Sequence, residues 1–381
     1  MPGLLGAGDC ALPGLTAEWA MAEGEPAHPA GFGRGFLRDI WYFAALADEV
    51  RPGRMRRHEI LGEPVLIGRT PAGELVALRD ICPHRAAPLS AGHFKREADG
   101  AWSLACPYHG WRYGPDGRCV AIPSLTGSEG MEPGRIAVRR YPVIESQGLV
   151  FVWMAERADG DLTPPPPPTF PGVVGGRPKL IERMEFAAHI DQAAVGLMDP
   201  AHGPFVHHQW WWRSRASAHE KAKAFAPAPE GFVMLRHRPS RNSRAYVLLG
   251  GAPMTEISFR LPGLRWEHIE AGRRQVLALT CLTPIDAART QITQMVWSDH
   301  PVFILAAPFI RAGARRFLRQ DREMVELQNA GLKYDPPLLW IDDADRQAKW
   351  YQALKKEWAA ARKAGRPFEN PVKPEVLRWK S

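Results

Sequence analysis

The chain has 381 residues, of which 45% are hydrophobic and 24% charged, and this composition is that of an ordinary globular protein. No apolar run approaches the roughly 18 residues that a membrane span requires. The net charge of +8 comes from dispersed Lys and Arg residues without interleaved stacking aromatics, which argues against a nucleic-acid partner. We therefore expect a soluble, cytoplasmic protein of two or three domains with no nucleic-acid or membrane partner.

The N-terminal segment, residues 1–32, is rich in Ala, Gly and Pro and lacks a basic region, so we expect a flexible segment and not a signal peptide. The five cysteines leave no paired disulfide framework, which favours a reducing compartment. Two of them, Cys119 and Cys281, are expected to be free buried thiols.

Residues 33–157 show the pattern of an all-β domain. The runs Pro64–Gly68 and Glu74–Leu78 flank a Thr-Pro-Ala-Gly turn and predict a hairpin. Further strands are predicted at 102–105, 110–113 and 149–153.

Two short loops in this domain each supply one Cys and one His: Cys82 with His84, and Cys106 with His109. Mixed Cys/His sites most often bind zinc, but each half of a zinc finger commonly supplies two residues of one type. Both cysteines here are followed by Pro, which fixes φ and suits a rigid ligand loop. Two Cys on one iron and two His on the other define a Rieske [2Fe-2S] cluster, which we predict.

A proline-rich linker is predicted at residues 158–179, and a second domain at 180–381. This domain mixes strands at 233–235, 246–249 and 275–279 with helices near 187–199, 310–330 and 343–363. The predicted fold class is α+β, with an all-β Rieske domain followed by an α+β domain of antiparallel sheet and helices.

The second predicted metal site begins with His202 and His207. Their spacing is poor for one straight helix, but Gly203 and Pro204 can break the helix and bring His207 back toward His202. Two His and one carboxylate form the facial triad of non-haem Fe(II) oxygenases.

Asp321 is the predicted carboxylate of that triad. In the helical stretch 314–328 it falls on a stripe with Ala314, Phe317, Leu318, Met324 and Val325, where a carboxylate is costly unless it is paired or binds metal. Asp191 and Asp299 remain alternative ligands.

Together these residues resemble the catalytic α subunit of the Rieske non-haem iron oxygenases, over about residues 36–328. The family pattern Cys-x-His followed by Cys-x-x-His matches the first site, and Asp-x-x-His, four residues, His matches Asp199, His202 and His207. The Asn that the family carries three or four residues before this Asp is replaced, since Val195 and Gly196 stand there.

The resemblance implies one [2Fe-2S] cluster and one Fe(II) per subunit, with NAD(P)H electrons arriving through a separate ferredoxin or reductase. It also implies a homotrimer in which Asp199 bridges the cluster ligand His109 of one subunit to His202 of its neighbour. The other interpretation of Asp199 is a simple helix cap.

The residues after the second His, His208 and Trp210–Trp212, either line a substrate pocket or pack a loop. We expect O2 and a hydrophobic aromatic or polycyclic compound as substrates, and we expect the compound to be hydroxylated or oxidatively demethylated. The alternatives are ring cis-dihydroxylation, a Rieske electron carrier with a ligand-binding domain, and a zinc-stabilised nucleic-acid module.

Overall fold

The computed structural model of the protein describes residues 32–126, 130–157, 163–172, 175–207, 215–240, 246 and 249–381. Of the predicted flexible segment, only Phe32 lies among these residues. His208 and Trp210–Trp212 also lie outside them, and so does part of the predicted linker.

Strands dominate the chain, and helices gather in its second half. The strands are β1 Trp41–Leu46, β2 Arg54–Ile60, β3 Glu63–Arg69, β4 Leu75–Arg79, β5 His93–Arg96, β6 Trp102–Ala105, β7 Arg112–Tyr113, β8 Cys119–Ala121, β9 Val143–Ser146, β10 Leu149–Trp153, β11 Leu180–Phe186, β12 Glu220–Ala228, β13 Gly231–His237, β14 Met254–Arg260, β15 Leu264–Ala271, β16 Arg274–Asp286, β17 Arg289–Ser298 and β18 Glu375–Lys380. The helices are α1 Ile190–Met198, α2 Gly203–Val206, α3 Val302–Leu305, α4 Ala307–Leu332 and α5 Arg346–Ala364.

The first half of the chain folds into three small antiparallel sheets, with strand orders β1-β10-β9, β2-β3-β4 and β5-β6-β7-β8. The predicted hairpin is β3–β4, in which Arg69 pairs with Leu75 and the turn is closed by Thr70 Oγ1, which accepts from Glu74 N at 3.1 Å. The strand predicted at 110–113 is shorter, because Gly110 adopts φ +69° in a turn before β7.

The second half forms one antiparallel sheet of eight strands, in the order β11-β17-β16-β15-β14-β13-β12-β18. Alternate residues of its strands face opposite sides. One side packs against the helices, and the other contacts β1 and β10 through a cluster that includes Trp41, Phe151, Leu279 and Met295. The predicted α+β class is confirmed, while the domain limits 33–157, 158–179 and 180–381 stay predictions.

Two predictions for the second half were wrong in detail. Val247 and Leu248 of the predicted strand 246–249 lie outside the described residues, and Tyr246 and Leu249 at its ends are not in a strand. The next described strand begins at Met254, after Gly250 and Gly251, which both adopt positive φ. The predicted stripe on α4 is narrower than expected, since Leu318 and Val325 are buried but Met324 is 43% exposed. Within the part of the chain that the structure describes, no helix has the length and apolar character needed to cross a membrane.

Close contact between α1 and α4 depends on a glycine. A Cβ built at Gly196 would lie 3.1 Å from Cγ2 of Val325, tighter than ordinary van der Waals contact. Helix α5 covers the other side of α1 with Trp350, Tyr351 and Leu354, all buried. Helix α1 is thus packed between α4 and α5, and this packing positions the segment that follows α1.

Candidate metal centres

The two predicted cluster loops have matching backbone geometry. The carbonyl of Cys82 accepts from Ala86 N at 2.8 Å, and the carbonyl of Cys106 accepts from Gly110 N at 3.1 Å. Ala86 and Gly110 both lie in the left-handed region, at φ +57° and +69°, and so reverse the chain after each His. Both loops therefore close in the same five-residue turn, although His84 lies two residues after Cys82 and His109 three residues after Cys106.

The four predicted cluster ligands differ in solvent exposure. Cys82 and Cys106 are only 1% and 3% exposed, whereas His84 and His109 lie at the surface with ring centroids 4.6 Å apart. Burial, and secondarily the neighbouring Cys82, raises the pKa of the Cys106 thiol. Thiolates in this position need a bound cation, so the donor set fits a cluster with a buried Cys-ligated iron and an outer His-ligated iron.

Two aromatic residues support this site, and sequence reasoning assigned them only to a strand. The hydroxyl of Tyr113, fully buried, lies 3.3 Å from Sγ of Cys82. The ring of Trp111 stacks on His84, with centroids 4.6 Å apart and an interplanar angle of 7°. Their position directly after the second ligand pair could have identified them in the sequence, since residues around a metal commonly orient its ligands.

At the second predicted site, the helix ends earlier than expected. Helix α1 ends at Met198 because Pro200 disfavours the helical conformation at Asp199, whose backbone is extended with ψ 116°. Gly203 and Pro204 then begin the one-turn helix α2, which His202 and His207 flank. The two imidazoles are therefore brought together across a new turn.

The side chains of His202, His207 and Asp321 meet at one point. Nε2 of His207 lies 3.1 Å from Nε2 of His202 and 3.0 Å from Oδ1 of Asp321, and the remaining distance, from His202 to Asp321, is 3.6 Å. Three neighbouring corners of an octahedron with bonds of about 2.1 Å are about 3 Å apart. This trio, hereafter the triad, is the only group of its kind among the residues described here.

The alternative ligands are occupied elsewhere. Oδ1 of Asp299 accepts from Gln275 N at 2.7 Å. Asp191 is fully buried and pairs with Lys355 Nζ at 2.6 Å and Tyr351 Oη at 2.7 Å. Neither carboxylate belongs to the triad.

Two further side chains hold the imidazoles of the triad. Oε1 of Gln320, which sequence analysis did not single out, lies 3.2 Å from Nδ1 of His207. Oδ2 of Asp199 lies 3.6 Å from Nδ1 of His202, and Oδ1 accepts from Ala201 N. Burial alone would raise the pKa of Asp199, but His202 outweighs it and lowers that pKa. Both rings thus have the second-nitrogen partner that metal-binding imidazoles usually have.

The triad borders two cavities. One, of about 280 Å³, is lined by polar and apolar side chains of the large sheet. The other, of about 230 Å³, is mainly apolar and includes Phe186, Ile292 and Val325. Asp199, His202 and Asp321 line both, so a metal held by the triad is accessible from either side.

Comparison with known proteins supports the prediction of a Rieske domain around the first site. Residues 40–142 match the family model of the Rieske [2Fe-2S] domain. The chain thus contains a Rieske [2Fe-2S] domain. It is 33% identical over 208 residues to a chloroplastic pheophorbide a oxygenase of Oryza sativa subsp. japonica, a match that covers 52% of the chain and 38% of that protein. It is 40% identical over 126 residues to the oxygenase component of dicamba O-demethylase of Stenotrophomonas maltophilia, covering 33% and 34%. The chain thus spans about a third of the length of these curated relatives.

Solved structures share the fold of this chain. Dicamba monooxygenase bound to dicamba matches with a TM-score of 0.67 and 22% identity, over 86% of the chain and 99% of that structure. NdmA of Pseudomonas putida CBB5 with caffeine matches with a TM-score of 0.64 and 18% identity, over 86% and 92%. The likeness therefore extends beyond the Rieske domain to the sheet and helices that carry the triad.

Proposed function

We propose that the protein is the oxygenase component of a Rieske system that hydroxylates or oxidatively demethylates a hydrophobic, aromatic or polycyclic substrate. The observation that carries the proposal is the triad, whose three donor atoms are spaced for one metal ion and border two cavities, in a chain with a Rieske domain. A pure electron carrier has no use for such a site.

His202, His207 and Asp321 would hold Fe(II), and Cys82, His84, Cys106 and His109 would hold the cluster. Held by these three residues, Fe(II) would supply the O2-activating chemistry. Gln320 accepts a hydrogen bond from Nδ1–H of His207 and so leaves Nε2 free to bind. The apolar walls of the smaller cavity would contact a hydrophobic substrate beside the triad.

Electrons would reach the triad from the cluster of a neighbouring subunit in a homotrimer. Asp199 supports this path because its carboxylate already contacts His202, while His109 lies exposed at the surface of the Rieske domain. A head-to-tail ring of three subunits lets every cluster meet a neighbouring triad.

The bridging role is tested with Asp199→Asn. We expect a normal cluster and normal iron content, but reduction of the cluster without turnover of O2. Normal turnover with both sites filled would remove the bridging role, and light scattering that shows a monomer would remove the trimer.

Reducing equivalents would come from NAD(P)H through a separate ferredoxin or reductase, and the buried free thiols favour a reducing, cytoplasmic location. Two matched proteins support oxidation at an apolar carbon: dicamba O-demethylase, and the 4beta-methylsterol monooxygenase of Methylococcus capsulatus (Bath), 35% identical over 144 residues.

The function is tested by measuring O2 uptake and product formation with a Rieske reductase, NADH and a panel of methoxylated aromatics and methylsterols. We expect substrate-dependent O2 uptake in the native protein and its loss in His207→Ala and Asp321→Asn, each with an intact cluster spectrum. Uptake that persists in both variants would exclude the triad as the site of O2 chemistry.

A further inference from the structure

A row of polar side chains crosses the helix-facing side of the large sheet beside the triad. Arg265 of β15 pairs in register with Thr280 of β16, and Thr280 pairs with Gln294 of β17. Residues paired directly across strands face the same side of a sheet. All three line the same 280 Å³ cavity as His202 and His207.

The neighbouring rows are apolar on β16 and β17, whereas Glu267 of β15 pairs with Ala278 and Glu182 of β11 pairs with Gln294. Ala278 pairs with Val296 on one side, and Leu282 pairs with Ile292 on the other. Within the described part of the chain, the side chains of Arg265, Thr280 and Gln294 have no hydrogen-bond or ion-pair partner in the protein. None of their polar atoms is fully buried, so they reach the open space of the cavity, where a ligand can pair with them.

The acid nearest in sequence on the same strand face does not neutralise Arg265. Glu267 accepts from Thr255 Oγ1 at 2.7 Å and from the hydroxyl of Tyr246, and it forms no ion pair with the guanidinium. Lys223, in the same cavity, donates to the Arg238 carbonyl at 3.0 Å, and burial lowers its pKa. The guanidinium of Arg265 thus faces the cavity without an ion pair among the described residues, although the carboxylates of Asp199, Glu267 and Asp321 also line that cavity.

We propose that Arg265, together with Thr280 and Gln294, binds the carboxylate of a substrate whose remainder is apolar. This inference rests on the proposed function, because the same cavity contains the triad. A guanidinium presents two parallel donors that match the two oxygens of a carboxylate. The Thr hydroxyl and the Gln amide can donate to the same anion.

The surrounding elements orient such a substrate. The anchor belongs to the sheet, whereas Asp321 belongs to helix α4, so a molecule held at Arg265 extends across the cavity toward the triad. Met234, Ile257 and Phe317 supply apolar contacts along that space. A neutral substrate of the same shape would leave the guanidinium desolvated and unpaired, which is the basis of selectivity.

The test is titration calorimetry on the full-length protein with both metal sites filled and without reductant, so that no turnover occurs. The probes are methoxybenzoates and naphthoates, each compared with its own methyl ester. We expect at least one acid to bind about 10- to 100-fold tighter than its ester, the range of one charged hydrogen-bonded contact. Acids that bind no tighter than their esters throughout the panel would overturn the proposal.

The variant Arg265→Gln should abolish this preference and leave binding of the ester unchanged, while Arg265→Lys should retain part of it. Arg273→Gln removes the same charge at an exposed position between β15 and β16 and should change nothing. An acid preference that survives in Arg265→Gln would overturn the anchoring role. If Arg265→Gln does not fold, the acid–ester comparison in Arg265→Lys decides.

The two proposals fail in different ways. Loss of the acid preference in a protein that still consumes O2 with substrate removes only the carboxylate anchor. A protein that binds acids through Arg265 but consumes no O2 with any reductase removes the oxygenase and leaves the anion site.

Discussion

The phenol oxygen of Tyr113 lies 3.3 Å from Sγ of Cys82, at the buried end of the cluster site. A hydrogen bond to a cluster sulfur stabilises the reduced, more electron-rich state and so raises the reduction potential. Tyr113→Phe should therefore lower the potential by roughly 40 mV, the equivalent of a ~1 kcal/mol hydrogen bond in a one-electron couple. The measurement is a spectroelectrochemical titration of the visible absorption.

Tyr141→Phe is the matched control, because Tyr141 is equally buried but donates to Glu63 at 2.6 Å. Its potential should equal that of the native protein. An unchanged potential in Tyr113→Phe would show that the hydroxyl does not bond to the cluster ligand.

Gln320 is expected to hold His207 for the metal. Gln320→Leu removes the partner of Nδ1, which lies 3.2 Å away, and should weaken iron binding about 10-fold or more. Iron retained after dialysis against a chelator measures this, with cluster content as an internal reference. Glu323→Gln, at an exposed position on the same helix, should retain iron as the native protein does, and equal retention in the Leu variant would contradict the role.

Asp191 joins helices α1 and α5, since it accepts from Tyr351 and Lys355, and it also accepts from Gly33 N at 2.7 Å. Burial alone would raise its pKa, but His189 and Lys355 together lower it below the ordinary value. A lowered native pKa stabilises the fold above the unfolded-state pKa and loses that effect as pH falls through the native pKa.

Asp191→Asn should therefore cost about 3 kcal/mol at pH 7, because a buried cation loses its partner. The difference from the native protein should shrink as pH falls below about 4, where the unfolded-state carboxyl takes up a proton, and should disappear once the native carboxyl, with its lowered pKa, is also protonated. Urea unfolding at several pH values measures both. Asp342→Asn, an exposed pair with Lys349, should be indistinguishable from native, and a difference for Asp191→Asn that is constant with pH would exclude the electrostatic explanation.

Gly196 is expected to set the distance between α1 and α4. Gly196→Ala gains about 1 kcal/mol of helix propensity but places a Cβ 3.1 Å from Val325, so its net effect on stability should be near zero. Gly196→Leu should cost about 1–3 kcal/mol by overpacking and should also weaken iron binding. Equal unfolding free energies for the two variants would contradict the close-packing argument.

The proposed ligand residues could be singled out from sequence because their pattern is local: Cys and His on short loops with Pro, and two His around a Gly-Pro pair. Asp321 could be predicted from helical periodicity, although Met324 on the same predicted stripe proved exposed. Gln320 and Tyr113 could not, because their contacts with His207 and Cys82 depend on how distant segments pack. Arg265 was missed for the same reason, since only strand register shows which polar residues share a cavity.

The most direct test of the account is electron paramagnetic resonance of the dithionite-reduced, anaerobic protein with and without nitric oxide. The account predicts a Rieske signal in both samples and, with nitric oxide, a high-spin ferrous-nitrosyl signal that Asp321→Asn reduces or abolishes. A Rieske signal alone in iron-replete protein would contradict it and would leave His202, His207 and Asp321 without a metal.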